Sequence, residues 1–224
     1  MKKYRRVHAD IDLDAVLFNF EEMNKSIPKD TKIMAVVKTD AYGHGAVPIA
    51  SLIENLEFLW GFATATVDEA VELRKAGIQK PILILGYTFP ECYKHIVKYD
   101  IRQTVFALDM AKELSKEAVR QNKKAYVHVK LDTGMGRIGY QNAEEAVTEA
   151  ALMKELPMIE MEGVFTHFAN ADMENQEFTL KQIKKFRDMV TAMEDAGVKF
   201  AMKHCANSAA IIEQREQNFD LVRA

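Results

Sequence analysis

The chain has 224 residues, 48% of them hydrophobic, and a formal net charge of −3. That length suits one large domain or a barrel with a sizeable core. The charge balance gives no reason to expect a nucleic acid or an anionic membrane as partner, and no apolar run approaches the length of a transmembrane helix. Two cysteines, Cys92 and Cys205, and six scattered histidines fall in no metal-ligand spacing. Free thiols in a reducing cytoplasm are therefore expected, and no metal site. The basic start is followed by Asp10, Asp12 and Asp14, not by an apolar signal core. This reads as no export signal.

Strand-like and helix-like segments alternate along the chain. Residues 6–13 alternate like a strand and precede a first helix over 14–26. Further strands are expected at 33–37, 58–63, 81–85, 103–107, 125–131, 163–168, 204–206 and 219–222, the last two from their place in the alternation. Thr66-Val67-Asp68-Glu69 is a capping box, and Gly77 closes the helix that it opens. Asn142 caps a helix with Glu145 at N3, and Pro157 ends it. Gly197 terminates a helix over 179–196. Parallel strands need crossovers, so eight strand–helix units predict a (β/α)8 TIM-like barrel, with an open doubly wound sheet as the alternative. Met153, Met158, Met161, Met189 and Met193 read as core filler. Lys181, Lys184, Lys185 and Arg187 read as a solvated helix face.

Five constellations carry chemistry. The first is Ile33-Met34-Ala35-Val36-Val37-Lys38-Thr39-Asp40-Ala41-Tyr42-Gly43-His44-Gly45. An apolar run ends in Lys38, at the C-terminal mouth of a buried strand, where barrels place their chemistry. A desolvated lysine there is an amine nucleophile toward a carbonyl. The second is His128-Val129-Lys130-Leu131-Asp132-Thr133-Gly134-Met135-Gly136-Arg137. Alternation puts His128, Lys130 and Asp132 on one face, where charges must be paired or neutralised. A glycine-rich loop then delivers Arg137 as a positive fork for an oxyanion. The third is His167, at the end of its expected strand. The fourth is Asn207-Ser208, which opens a helix whose free N–H groups suit a phosphate, or is a plain cap. The fifth is Arg223, after Phe219-Asp220-Leu221-Val222.

In this order, and over essentially the whole chain, these motifs resemble the alanine racemase family of pyridoxal 5′-phosphate (PLP) enzymes. Thr39 stands where that family more often has alanine. The resemblance implies that Lys38 carries PLP covalently and moves the substrate Cα proton on one face. It implies that Tyr42 and Ser208, with Asn207 beside it, serve the cofactor phosphate, and that Arg137 hydrogen-bonds its phenolic oxygen. Lys130 would be carbamylated, its new anion holding Arg137. His167 would link the arginine network to a catalytic tyrosine. Arg223 would face the pyridine nitrogen, keep it unprotonated and so limit the ring as an electron sink.

The implied activity is interconversion of L- and D-alanine for peptidoglycan supply, by a cytoplasmic homodimer. The second base, a tyrosine of the partner subunit, would lie beyond residue 224 in a C-terminal β-domain, together with the rest of the phosphate site. Residues 1–224 are then expected to be the PLP-binding barrel domain of a longer protein, with 6–13 pairing with the β-domain. By itself the chain is expected to bind PLP weakly and racemise poorly or not at all. Four rivals stand beside this reading: a single-barrel PLP-homeostasis protein, a serine or broad-specificity racemase, a related barrel decarboxylase and a non-enzymatic scaffold. Arg223, in place of an acidic pyridine partner, counts against the decarboxylase.

Overall fold

The computed structural model describes residues 8–214 and 218–224. Eight parallel strands close into a barrel in sequence order. They are β1 (Lys32–Val36), β2 (Leu59–Thr64), β3 (Ile82–Ile84), β4 (Arg102–Val105), β5 (Ala125–Lys130), β6 (Ile159–Phe165), β7 (Met202–His204) and β8 (Leu221–Arg223). Pairing of β1 with β8, Ile33 opposite Val222, closes the ring and excludes the open sheet. Helices α1 (Leu13–Ser26), α3 (Ala46–Ile53), α4 (Val67–Lys75), α5 (Tyr93–Lys98), α6 (Leu108–Gln121), α7 (Ala143–Lys154), α8 (Glu177–Asp195) and α9 (Ser208–Glu213) surround the strands. Between β1 and α3 lies α2 (Lys38–Gly43), which is wound left-handed.

Two apolar layers explain the strand patterns. Ile33, Ala35, Phe62, Val127, Val129 and Val222 bury against the helices. Met34, Ala63, Leu83 and Leu221 form a smaller cluster of their own. Against that cluster β5, β7 and β8 contribute His128, Lys130, His204 and Arg223, all buried. A barrel interior is ordinarily filled with apolar side chains. One part of this one is therefore polar and must satisfy itself by hydrogen bonding.

The helix signals hold. Thr66 accepts from the Glu69 N–H, and Glu69 bonds back to the Thr66 N–H, as a capping box does. Asn142 caps α7 through the Glu145 N–H at 3.1 Å. That helix ends at Lys154, before Pro157.

Several expected bounds move. Residues 8–12 form no strand. Asp12 instead turns its carboxylate onto the Ala15 N–H and starts α1. Residues 6 and 7 of that expectation lie outside the described residues. β6 begins at Ile159, four residues earlier than expected, and ends at Phe165. β7 and β8 are also displaced along the chain by one or two residues at their ends. Neighbouring ladders, more than β propensity, decide where these short strands stop. Met158 is 38% exposed and is not core filler, whereas Met153, Met161, Met189 and Met193 are buried. Of the expected solvated face, Lys185 reaches back to the Asp132 carbonyl at 3.4 Å and Lys184 pairs with Asp188.

Candidate functional site

A cavity of about 470 Å³ opens at the C-terminal mouth of the barrel. That is within the usual range for small-molecule sites. Lys38, Tyr42, Lys130, Arg137, His167, Asn207, Ser208 and Arg223 all line it. Every residue singled out from the sequence as a site residue thus reaches one place.

Lys38 lies two residues past the end of β1, at the start of the left-handed turn. Thr39, Asp40, Ala41 and Tyr42 all have φ between 50° and 56°. L-residues pay roughly 1–2 kcal/mol each for this winding, and such strain persists only where the surroundings impose it. Here the Glu69 carboxylate accepts from the Thr39 N–H at 2.7 Å while also capping α4. Asp40 accepts from the Ala46 N–H at 2.7 Å, and the Gly45 N–H bonds the Asp40 carbonyl. The turn leaves the Lys38 ammonium 5.8 Å from the Tyr42 ring centroid. Tyr42 itself is 61% exposed.

Lys130 projects from the end of β5 into the cavity wall. Its Nζ donates to the Leu131 carbonyl at 2.6 Å and to Ile138 at 3.2 Å. Burial pulls its pKa down to about 7. The amine is therefore partly neutral near physiological pH. Asp132 organises the loop beyond it, accepting from the N–H groups of Gly134, Gly136 and Arg137 at 3.0–3.1 Å. Burial alone would raise this carboxyl, but the backbone donors outweigh it and the net shift is downward. That loop carries the exposed side chain of Arg137 to the cavity.

Arg223, like Lys130, is a cationic side chain buried in the barrel. It is 4% exposed. Its Nη2 donates to the Thr166 and Cys205 carbonyls, each at 2.9 Å, and its Nη1 donates to His204 Nδ1 at 2.9 Å. Burial lowers its pKa to about 10. His167 lies in the loop after β6, not in the strand, with its Nδ1 3.4 Å from Arg223 Nη2. Burial, helped by the Arg223 charge, pushes its pKa down to about 3, so the ring is neutral.

Asn207 is the N-cap of α9: its Oδ1 accepts from the Ala210 N–H at 3.1 Å. Ser208 is the first residue of that helix and is exposed at the cavity. Cys92 and Cys205 are not joined in a disulfide. No cluster of three metal-ligating side chains occurs among the described residues. No helix among them is long and apolar enough to cross a membrane.

Sequence reading missed Glu69 as a brace of the lysine turn, and it missed Glu162, His204 and Thr166 behind Arg223. Glu69 was visible only as a cap. Glu162 fell outside the expected strand, although Ile159-Glu160-Met161-Glu162 does alternate.

A closed parallel barrel with lysines and arginines gathered at its C-terminal mouth is a (β/α)8 protein whose site suits an anionic small molecule. Comparison with known proteins narrows this class. Residues 11–224 match the family described as alanine racemase, N-terminal domain, and the chain belongs to that family. It is 43% identical over 219 residues to alanine racemase 1 of Caldanaerobacter subterraneus subsp. tengcongensis, covering 98% of this chain and 56% of that one. Among solved structures it resembles alanine racemase of Clostridium difficile 630 in complex with cycloserine, with a TM-score of 0.93 and 43% identity. That match covers 96% of this chain and 58% of the other. It also resembles alanine racemase of Bacillus anthracis with bound L-Ala-P, with a TM-score of 0.92 and 36% identity, covering 100% and 57%. The chain thus spans 56–58% of the length of these relatives.

Proposed function

We propose that this chain provides the PLP-binding barrel of an alanine racemase that interconverts L- and D-alanine. The observation that carries the reading is the charge of the cavity. Lys38, Lys130, Arg137 and Arg223 line it, with His167, and no Asp or Glu among the described residues does so. That donor set fits PLP, whose phosphate and phenolic oxygens are anionic and whose aldehyde requires an amine.

When bound, PLP supplies an electron sink that acidifies the Cα proton of an attached amino acid. The protein's part is positioning and proton transfer. Lys38 holds the cofactor through its amine and moves the proton on one face of Cα. The Ser208 hydroxyl and Tyr42 serve the phosphate, with Asn207 fixing the helix start. Arg137 serves the phenolic oxygen. Arg223, a buried donor that cannot give up its proton near neutral pH, meets the pyridine nitrogen as an acceptor. His167 stands between this arginine and the second base, a tyrosine supplied by the partner subunit of a homodimer. Lys130, neutral in part, takes up carbon dioxide through its free amine and releases one proton to solvent, giving a carbamate whose charge restrains Arg137. The whole protein acts in the cytoplasm and supplies D-alanine for peptidoglycan. Alanine is favoured over other amino acids because the relatives at 43% identity are alanine racemases.

Borohydride reduction with PLP, followed by peptide mapping, tests the reading. One reduced adduct is expected on Lys38, and none in Lys38→Ala. An unlabelled Lys38 in the parent protein would defeat the reading.

A further inference from the structure

Arg223 is a buried cation with no carboxylate among its hydrogen-bond partners in the described residues. Its hydrogen-bond partners are carbonyl oxygens and imidazole nitrogens. A buried charge needs compensation. Here the nearest chain of hydrogen bonds runs down through the barrel. His204 Nδ1 meets Arg223 Nη1 at 2.9 Å, and His204 Nε2 meets His128 Nδ1 at 2.9 Å. His128 Nε2 then meets Glu162 Oε2 at 3.0 Å. Arg102 holds the same carboxylate at 3.3 Å.

The two ends of this chain fix the protons between them. A guanidinium only donates and a carboxylate only accepts. Facing Arg223, His204 Nδ1 must be bare, so the His204 proton lies on Nε2. His128 Nδ1 must then accept, so its proton lies on Nε2 and points to Glu162. Both rings are neutral in the single arrangement that satisfies all three bonds. Burial lowers the pKa of each in agreement with this.

Two backbone features build the chain. The β5–β6 register slips between Val127 and His128: Val127 pairs with Met161 and His128 with Gly163, which leaves Glu162 opposite no residue. A bulge of this kind re-aims a side chain. Gly163 then leaves room for the ring, since a Cβ there would lie 2.4 Å from His128 Nδ1. A bulge, a glycine, two histidines and a carboxylate all serve one bond to Arg223.

We propose that Glu162, acting through His128 and His204, is a positioning residue that fixes the Arg223 guanidinium as a donor into the cavity. With three of its N–H groups held, Arg223 keeps its Nε–H and one Nη1 hydrogen without a partner among the described residues. The consequence for a cofactor ring rests on the functional reading above; the order of protons in the chain does not.

The first arm of the test uses 15N-histidine-labelled protein. Two-bond proton–nitrogen spectra near neutral pH are expected to show His128 and His204 as neutral rings protonated on Nε2. A charged ring, or a proton on either Nδ1, overturns the proposal whether or not PLP binds. The second arm uses the cofactor-loaded, full-length protein, with the C-terminal domain that the relatives carry beyond the matched region. Glu162→Leu removes the acceptor and Glu162→Gln restores a carbonyl oxygen. Glu160→Gln is the control, because Glu160 lies on the same strand but pairs with Lys124 at the surface. Glu162→Leu is expected to move the absorbance maximum of PLP at Lys38 and to lower kcat on the order of tenfold, with KM little changed. Glu162→Gln recovers the parental band, and Glu160→Gln never loses it. A parental band and kcat in Glu162→Leu refute the positioning role. Where Glu162→Leu does not fold, the imidazole spectra of the parent decide. PLP absent from Lys38 in the parent defeats the functional reading and leaves the imidazole result standing.

Discussion

Lys130→Met exchanges a buried amine for an unbranched apolar side chain. In the folded protein the Lys130 amine has a pKa of about 7, against an ordinary value of 10.5. Between these values the unfolded chain holds a proton that the folded chain has released. Stability therefore rises with pH across this window and is lowest near its bottom. The slope from one such group is at most ~1.4 kcal/mol per pH unit. Integrated from about pH 7 to pH 9, the parent should gain about 2 kcal/mol more than Lys130→Met. The assay is urea denaturation of both proteins at the two pH values, in buffer purged of carbon dioxide, with equal m-values as the check on a common unfolded state. Added bicarbonate should raise the stability of the parent and leave Lys130→Met unmoved, because only the parent has an amine at this buried position to carbamylate. Parallel pH profiles for the two proteins would refute the claim that this amine is held near neutrality by burial.

Two more outcomes follow from the geometry. Gly61→Ala would drive a Cβ to 2.2 Å from the Pro81 carbonyl oxygen, which accepts the Phe62 N–H between β2 and β3. The expected cost is about 3 kcal/mol or more, read as a fall in Tm of roughly 10 °C; an unchanged Tm would show that the strands can separate freely there. In the acid range, His167 has its pKa lowered to about 3, so below its ordinary pKa of 6.5 the unfolded chain takes a proton that the folded chain refuses. Stability is thus lost as pH falls from 6.5 toward 3, and His167→Asn should flatten that loss in acid denaturation curves.

The alternation of strand and helix, the capping box at Thr66 and the cap at Asn142 were legible because each rests on neighbours in the chain. So were Lys38, Tyr42, Arg137, His167, Asn207, Ser208 and Arg223, since motif order carries a family likeness without any knowledge of contacts. Residues 8–12 show the limit: a strand is a pairing, and alternation is no evidence of a partner. β6 shows another, because its first half carries Glu160 and Glu162 and its start is set by the ladder with β5.

Local sequence, then, determined the barrel, the position of Lys38 at its mouth and the set of residues around it. Tertiary structure decided their states. Thr39 to Tyr42 wind left-handed because Glu69, thirty residues away, holds the turn. His167 is neutral and Lys130 partly so because the barrel removes water from them. Arg223 stays charged and aimed because strands β5, β6 and β7 bring His128, Glu162 and His204 behind it. Dielectric environment and long-range hydrogen bonds are properties of the closed barrel, and no window of the sequence contains them.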